Sequence, residues 1–294
     1  MRELVVISGK GGTGKTSLVA SFAALAGDAV LADCDVDAAD LHLLLAPEVR
    51  ERHEFRSGRE AAIRQADCTG CGACFEICRF GAICVNGKAA GEAEIFVDPT
   101  ACEGCGVCVR FCPAQAIDFP ERVCGEWYVS TTRFGPLVHA RLGIAAENSG
   151  KLVSTVRTKA REVAAERGGS LILVDGPPGI GCPVIASMTG ATAVLAVTEP
   201  TLSGEHDLTR VLELARHFDI PTAVCVNKWD INPHMAERIE ERAHGSGAQA
   251  VGRIPHDRAV TDAQVNGKSV VEHSQGPAAR CIGEVWKRTC AMLS

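Results

Sequence analysis

The sequence has no surplus of positive charge, no long apolar run and few aromatic residues. Lysine and arginine total 30 against 36 aspartate and glutamate, a formal charge of −6, so no nucleic-acid partner is expected. No apolar stretch approaches the roughly 20 residues of a membrane-spanning helix, and Met1 to Gly9 enters a strand pattern without a basic, then apolar, then small-residue leader. The expectation is a cytoplasmic protein with no membrane span. Aromatics make up 4% of the chain while hydrophobic residues make up 46%, so aliphatic side chains must build the core.

Cysteine is abundant instead: 15 in 294 residues. Without a secretory leader that number points to metal binding or catalysis rather than disulfides. Eight of the cysteines form two closely spaced runs within Cys68 to Cys112; Cys34, Cys84, Cys124, Cys182, Cys225, Cys281 and Cys290 stand apart from the runs.

Along the chain, Leu4 to Ile7 reads as a strand, Gly9 to Gly14 as a glycine loop, the alanine-rich stretch to Ala26 as a helix and Ala29 to Cys34 as a second strand. The pattern lapses after a helix near Ala38 to Leu45 and resumes after about Pro120. A helix is expected over Lys151 to Glu166 and strands over Leu171 to Val174, Ala193 to Val197, Thr222 to Val226 and Gln249 to Gly252. Helices are expected near Leu202 to His217, Pro233 to Ala243 and Ala278 to Met292. Short apolar strands alternating with helices predict an α/β fold, a mostly parallel sheet covered by helices on both faces.

The interruption contains a duplication. Cys68 to Ile83 and Cys102 to Ile117 are identical at eight of sixteen positions, including every cysteine. Asn86-Gly87, between Ile83-Cys84-Val85 and Lys88-Ala89, is a hairpin signal. The expected organisation is residues 1–57 and 121–294 for the α/β domain and 58–120 for a compact α+β insert.

Two motif sets carry chemistry. Gly9-Lys10-Gly11-Gly12-Thr13-Gly14-Lys15-Thr16 is a phosphate loop between a strand and a helix. Its backbone N–H groups suit phosphates at a helix N-terminus, Lys15 suits the β- and γ-phosphates, and the Thr16 hydroxyl suits Mg²⁺. The second set is C-x₂-C-x₂-C-x₃-C, present as Cys68, Cys71, Cys74, Cys78 and as Cys102, Cys105, Cys108, Cys112, spacing that suits [4Fe–4S] clusters better than tetrahedral zinc. A purely structural role for the metal is the alternative to electron transfer.

With Lys10 as a second lysine, the loop resembles the deviant Walker A of the MinD/ParA superfamily and the nitrogenase iron protein, a P-loop NTPase fold. The resemblance implies ATP and Mg²⁺ as cofactors and a dimer closed by Lys10 reaching the partner's phosphates. It implies nucleotide contacts from Gly9 through Ser17 and from Asn227 and Lys228, with Asn227 at the adenine. Leu31-Ala32-Asp33-Cys34-Asp35 resembles the acidic second-strand motif, and Leu173-Val174-Asp175-Gly176-Pro177-Pro178-Gly179 resembles Walker B with switch II. Catalysis is thereby assigned to Lys10, Lys15, Asp35 and Asp175, the two aspartates managing water or Mg²⁺.

The cysteine runs resemble bacterial two-cluster ferredoxins, in which the fourth cysteine crosses over. That implies Cys68, Cys71, Cys74 and Cys112 at one cluster and Cys102, Cys105, Cys108 and Cys78 at the other. Arg79 stands where the second run has Pro113. Cys182, seven residues after Asp175, matches one of the two cysteines that hold a bridging cluster in the nitrogenase iron protein; Glu147-Asn148-Ser149-Gly150 occupies the region of its companion. Cys182 is thus a candidate extra cluster or transfer ligand. Cys34 and Cys225 read as small buried hydrophobes.

The expected function is an ATPase coupling dimerisation, with itself or with a paralogous ATPase, to electron transfer toward a redox or cluster-accepting protein. The alternatives are a cluster-assembly ATPase similar to Mrp-type carriers and a nucleotide-sensing electron-transfer module with negligible turnover. The last helix, with Ile282, Val285, Trp286 and Leu293 apolar and Lys287-Arg288 basic, fits packing on the sheet as well as a membrane tail.

Overall fold

The computed structural model describes residues 1–86, 94–143, 149–169 and 171–293. The chain begins with β1 (Arg2–Ser8), α1 (Lys15–Ala26), β2 (Val30–Asp33), α2 (Leu41–Leu45) and β3 (Glu48–Arg59). A run of short elements follows: β4 (Ala62–Ile63), α3 (Ala73–Ile77), β5 (Ile83–Asn86), β6 (Glu94–Val97), α4 (Val107–Arg110) and β7 (Ile117–Asp118). Then come β8 (Glu121–Thr132), β9 (Gly135–Leu142), α5 (Ser149–Glu166), β10 (Leu171–Pro178), α6 (Cys182–Met188), β11 (Ala193–Thr198), α7 (Leu202–His217) and β12 (Thr222–Asn227). The chain closes with α8 (Pro233–Gly245), β13 (Gln249–Ile254), α9 (Arg258–Val265), α10 (Val270–His273) and α11 (Pro277–Ala291).

Two compact units result. The first comprises Met1–His53, Glu126–Leu142 and Asn148–Ser294, the second Glu54–Gly125 with Gly143–Glu147. The divisions fall inside the twelve-residue strands β3 and β8, a few residues away from the expected 57/58 and 120/121. Long strands blur a boundary that composition alone would put at the ends of the cysteine-rich stretch.

The main sheet runs β13-β12-β11-β1-β10-β2-β9-β8-β3 among the described residues, and every pair from β13 to β9 is parallel. Its inner strands are continuous apolar runs such as Leu4-Val5-Val6-Ile7 and Ile172-Leu173-Val174, buried on both faces as a covered parallel sheet requires. Helix α1 starts where Gly14 turns left-handed at φ 91° and stops at Gly27, whose N–H caps the Ala23 carbonyl. Between them Leu18, Val19, Phe22 and Ala23 enter the core, and Phe22 meets Trp286 of α11 at 4.9 Å between rings. Helix α11 also buries Ala278, Ala279, Ile282 and Val285, so the apolar stripe of the last helix is spent on packing. Among the described residues no helix is long and apolar enough to cross a membrane.

Strands β3, β8 and β9 carry no periodic signal. β3 reads Glu-Val-Arg-Glu-Arg-His-Glu-Phe-Arg-Ser-Gly-Arg, stands at the end of the sheet order, and buries only Phe55 and Ser57 along its length.

The second unit pairs β4 with β7 and β5 with β6, both antiparallel, over a small core of Ala61, Cys74, Ile83, Ile95 and Ile117. β5 pairs with Glu94–Val97, further along the chain than the Asn86-Gly87 signal implies; Gly87, Lys88 and Ala89 lie outside the described residues. The duplication is visible in the backbone: Gly70 and Gly104 have φ 69° and 61°, Gly72 and Gly106 75° and 71°, and Gly81 at 64° corresponds to Gln115 at 51°.

Candidate functional site: a phosphate loop over buried aspartates, and two cysteine-lined cavities

The loop after β1 is shaped by left-handed glycines. A side chain at Gly14 would come within 2.5 Å of the Asn227 amide nitrogen as well as needing φ 91°, so only glycine fits. Ser8 Oγ donates to the Lys10 carbonyl at 2.6 Å and Asn227 Nδ2 donates to the Thr13 carbonyl at 2.8 Å, fixing the loop from both sides. Asn227 Oδ1 accepts from the Lys228 N–H, and Lys228 Nζ donates to the Gly12 carbonyl at 3.2 Å. Both residues expected at the nucleotide thus brace the loop, with Asn227 spending one amide hydrogen and its oxygen on backbone.

Lys15 is buried, its Nζ 3.9 Å from Asp35 Oδ2. Asp175, at the end of the apolar part of β10, is 1% exposed, and neither carboxylate oxygen has a hydrogen-bond partner. Burial pushes its pKa up to about 7 against the opposing pull of Lys15, while Asp35 and Asp40 add to the rise. Asp35 is raised as well, by burial first, with Lys15 opposing. A buried carboxylate with no partner is a costly arrangement, and a divalent cation held with the Thr16 hydroxyl would satisfy it.

Asp33 belongs to the same cluster and escaped assignment from sequence. It lies beside Asp175 in the β2–β10 register. Its oxygens accept the N–H groups of Asp35 at 3.2 Å and Leu41 at 3.3 Å, bracing the turn that carries Asp35. Burial, then the charges of Asp175 and Asp35, push its pKa well up. The signal available was a carboxylate inside a wholly apolar strand. A cavity of about 480 Å³ opens onto this cluster, lined by Gly12, Lys15, Thr16, Asp35, Leu44 and Gln264 among others. Gln264, from α9, donates to Ser17 Oγ at 2.8 Å and had no sequence signal, being far away along the chain.

In the second unit the cysteines sort four and four. One cavity of about 420 Å³ is lined by Cys78, Cys102, Cys105 and Cys108, a smaller one by Cys68, Cys71, Cys74 and Cys112. Each set takes its fourth member from the other half of the duplication. Among the described residues no three His, Cys, Asp or Glu side chains gather about a single metal ion.

Cys182 is exposed and opens α6, whose N-cap is Gly181. The Gly150 backbone lies against it, a Cβ there meeting Cys182 Cβ at 3.5 Å; Glu147 and Asn148 lie outside the described residues. Cys34 and Cys225 are fully buried, and burial pushes both thiols up.

Residues 4–270 match the sequence model of the CobQ/CobB/MinD/ParA nucleotide binding domain. The uncharacterised protein MJ0578 of Methanocaldococcus jannaschii is 34% identical over 233 residues, 78% of this chain and 79% of that protein. Protein MJ0579 of the same organism is 23% identical over 286 residues, 93% and 94% of the two chains. Among solved structures, the Pyrococcus furiosus cell division ATPase MinD superposes with a TM-score of 0.58 at 17% identity, covering 99% of each chain. The ATP complex of Cyanothece McdA(D38A) gives 0.60 at 15%, covering 99% of this chain and 96% of that one.

Proposed function

Because the chain belongs to the CobQ/CobB/MinD/ParA nucleotide-binding family, we propose that its MinD/ParA-type ATPase domain hydrolyses Mg-ATP as a dimer and couples that cycle to electron transfer through two [4Fe–4S] clusters. The observation that carries the reading is the coexistence of a phosphate loop above an unpartnered buried Asp175 with eight cysteines sorted into two quartets.

At the nucleotide, the loop N–H groups and Lys15 would hold the phosphates, Thr16 and Asp175 the Mg²⁺, and Asp35 the attacking water. Lys10 would cross to the second subunit's phosphates. Asp33 holds the Asp35 turn in place from below. The dimer is formed with a second copy or with a paralogous ATPase.

The cysteine cavities fit the proposed clusters on their own chemistry. A four-iron cluster takes one cysteine per iron, so its ligands ring a cavity instead of meeting at a point, and thiolates are its preferred donors. The left-handed Gly70, Gly72, Gly104 and Gly106 let the backbone wrap closely. Cys68, Cys71, Cys74 and Cys112 would hold one cluster, and Cys102, Cys105, Cys108 and Cys78 the other. When bound, the clusters supply one-electron storage; the chain's part is to fix their spacing and surroundings.

The test is anaerobic. Isolated protein should contain eight irons per chain, hydrolyse ATP, and show cluster midpoint potentials that shift when Mg-ATP binds, since coupled sites must affect each other equally. Lys15→Ala should abolish both turnover and the shift. Unchanged turnover and electron delivery in that variant would sink the proposal. The exposed position of Cys182 favours a second reading, a cluster-carrying ATPase; iron above eight per chain, lost in Cys182→Ser, would select it.

A further inference from the structure

The two halves of the duplicated unit are related position by position, so their differences are informative. Setting the cavity linings side by side, Ala82 and Ile83 at one correspond to Ala116 and Ile117 at the other, and the cysteines correspond one to one. Two further corresponding pairs differ in charge. The cavity of Cys78, Cys102, Cys105 and Cys108 has Arg79 and Glu103 in its wall, where the cavity of Cys68, Cys71, Cys74 and Cys112 has Pro113 and Thr69. Both charged side chains are exposed at the rim, and among the described residues neither forms an ion pair.

Resting on the two-cluster reading, we propose that Arg79 and Glu103 are opposed tuning residues that set the electron affinity of the Cys78/Cys102/Cys105/Cys108 site alone. An added electron makes a cluster site more negative. Arg79 stabilises that added charge and Glu103 opposes it, whereas Pro113 and Thr69 do neither. Changing either residue shifts the equilibrium for passing one electron between the sites, in which one site is oxidised as the other is reduced and no atom or proton moves; in a titration each electron is supplied by the added chemical reductant. A single charge about 10 Å away, screened as at a protein surface, changes electron affinity about two- to tenfold, or about 20 to 60 mV at 59 mV per tenfold.

The experiment is an EPR-monitored redox titration of the iron-loaded full chain. Arg79→Gln should lower one couple, Glu103→Gln should raise the same couple, and the other couple should stay in place. Arg79→Lys should keep the native value. Cys105→Ser should perturb the couple that the charge variants move, and Cys71→Ser the other. Charge variants that move both couples together, or neither, in a chain holding eight irons would overturn this proposal and leave the two-cluster reading standing. A Cys71→Ser protein in which the tuned couple is the one perturbed would overturn it in the same way. A native chain that takes up no iron would overturn both. Should Arg79→Gln fail to load, Glu103→Gln alone decides, through the sign of its shift.

Discussion

Lys10 is turned back onto its own chain, with its ammonium 3.8 Å from Glu199. It also donates to Ser203 Oγ at 3.2 Å and Thr201 Oγ1 at 3.4 Å, while Glu199 holds Lys228 at 3.3 Å with its other oxygen. The lysine proposed to reach a second subunit therefore has to leave three partners first. Partly exposed pairs of this kind are worth up to about 1 kcal/mol. Glu199→Gln should accordingly lower the ATP concentration for half-maximal dimerisation by up to about fivefold, and Lys10→Ala should abolish ATP-dependent dimerisation. Sedimentation velocity across an ATP series measures both; a Glu199→Gln protein that dimerises less readily would contradict the release step.

Asp175 makes the nucleotide-free protein sensitive to alkali. Its folded pKa is raised to about 7 from the ordinary 3.8, chiefly by burial, so between these values the folded chain holds a proton that the unfolded chain has lost. Its contribution is fully present below about pH 4 and is lost as pH rises through 7. Asp33 acts in the same direction. Asp175→Asn should therefore raise the melting temperature at pH 8 by several degrees and flatten its decline from pH 5 to 8, while eliminating ATP turnover. Calorimetry without nucleotide is the measurement, and a variant that melts lower than the parent at pH 8 would refute the assignment.

Glu272 gives the opposite sign. Burial alone would raise it, but the Arg133 guanidinium and the Ser269 N–H and hydroxyl hold it down to about 2. Arg133 grips both carboxylate oxygens at 2.8 and 2.9 Å and also donates to the Leu44 and Leu45 carbonyls. The stabilisation is present above the ordinary pKa of 4.5 and disappears as pH falls through 2. With about a quarter of the side chain exposed, Glu272→Gln should cost about 1 kcal/mol at pH 7 after screening, and the deficit should close below pH 4.5. Denaturant melts at pH 7 and pH 3 separate this from a deficit independent of pH.

Gly14 should tolerate no side chain. Gly14→Ala combines a left-handed backbone with an approach of 2.5 Å to Asn227, and should cost about 1–3 kcal/mol together with nucleotide binding. Asn227→Ala in the same background removes the clash but not the strained backbone, so it should restore part of the stability and none of the φ penalty. Full recovery in the double variant would show that crowding alone was responsible.

How much of this could be read from the sequence varied with how local the signal was. Lys15 and Asp175 were legible because a glycine loop between strand and helix, and a carboxylate ending an apolar strand, are each conspicuous over a few residues. Asp33 sits two residues from Asp35, and only the β2–β10 register reveals that it shares a site with Asp175. Gln264 and Glu199 were invisible because their partners, Ser17 and Lys10, are 247 and 189 positions away. The bracing of the loop by Asn227 was likewise hidden in a contact 214 positions long. In the cysteine unit the repeated spacing of the motif was conspicuous over a few residues, but the partner strand of β5 did not follow from its turn signal.

The strand least visible in the sequence was β3, for its dense and mixed charge. It is also where the main sheet stops among the described residues, with a row of backbone donors and acceptors that meets no further described strand. Alternating glutamates and arginines along such an edge make a neighbouring molecule's strand an unwelcome addition. What reads as noise in a search for structure is, on that view, what keeps one copy from templating fibrils with the next.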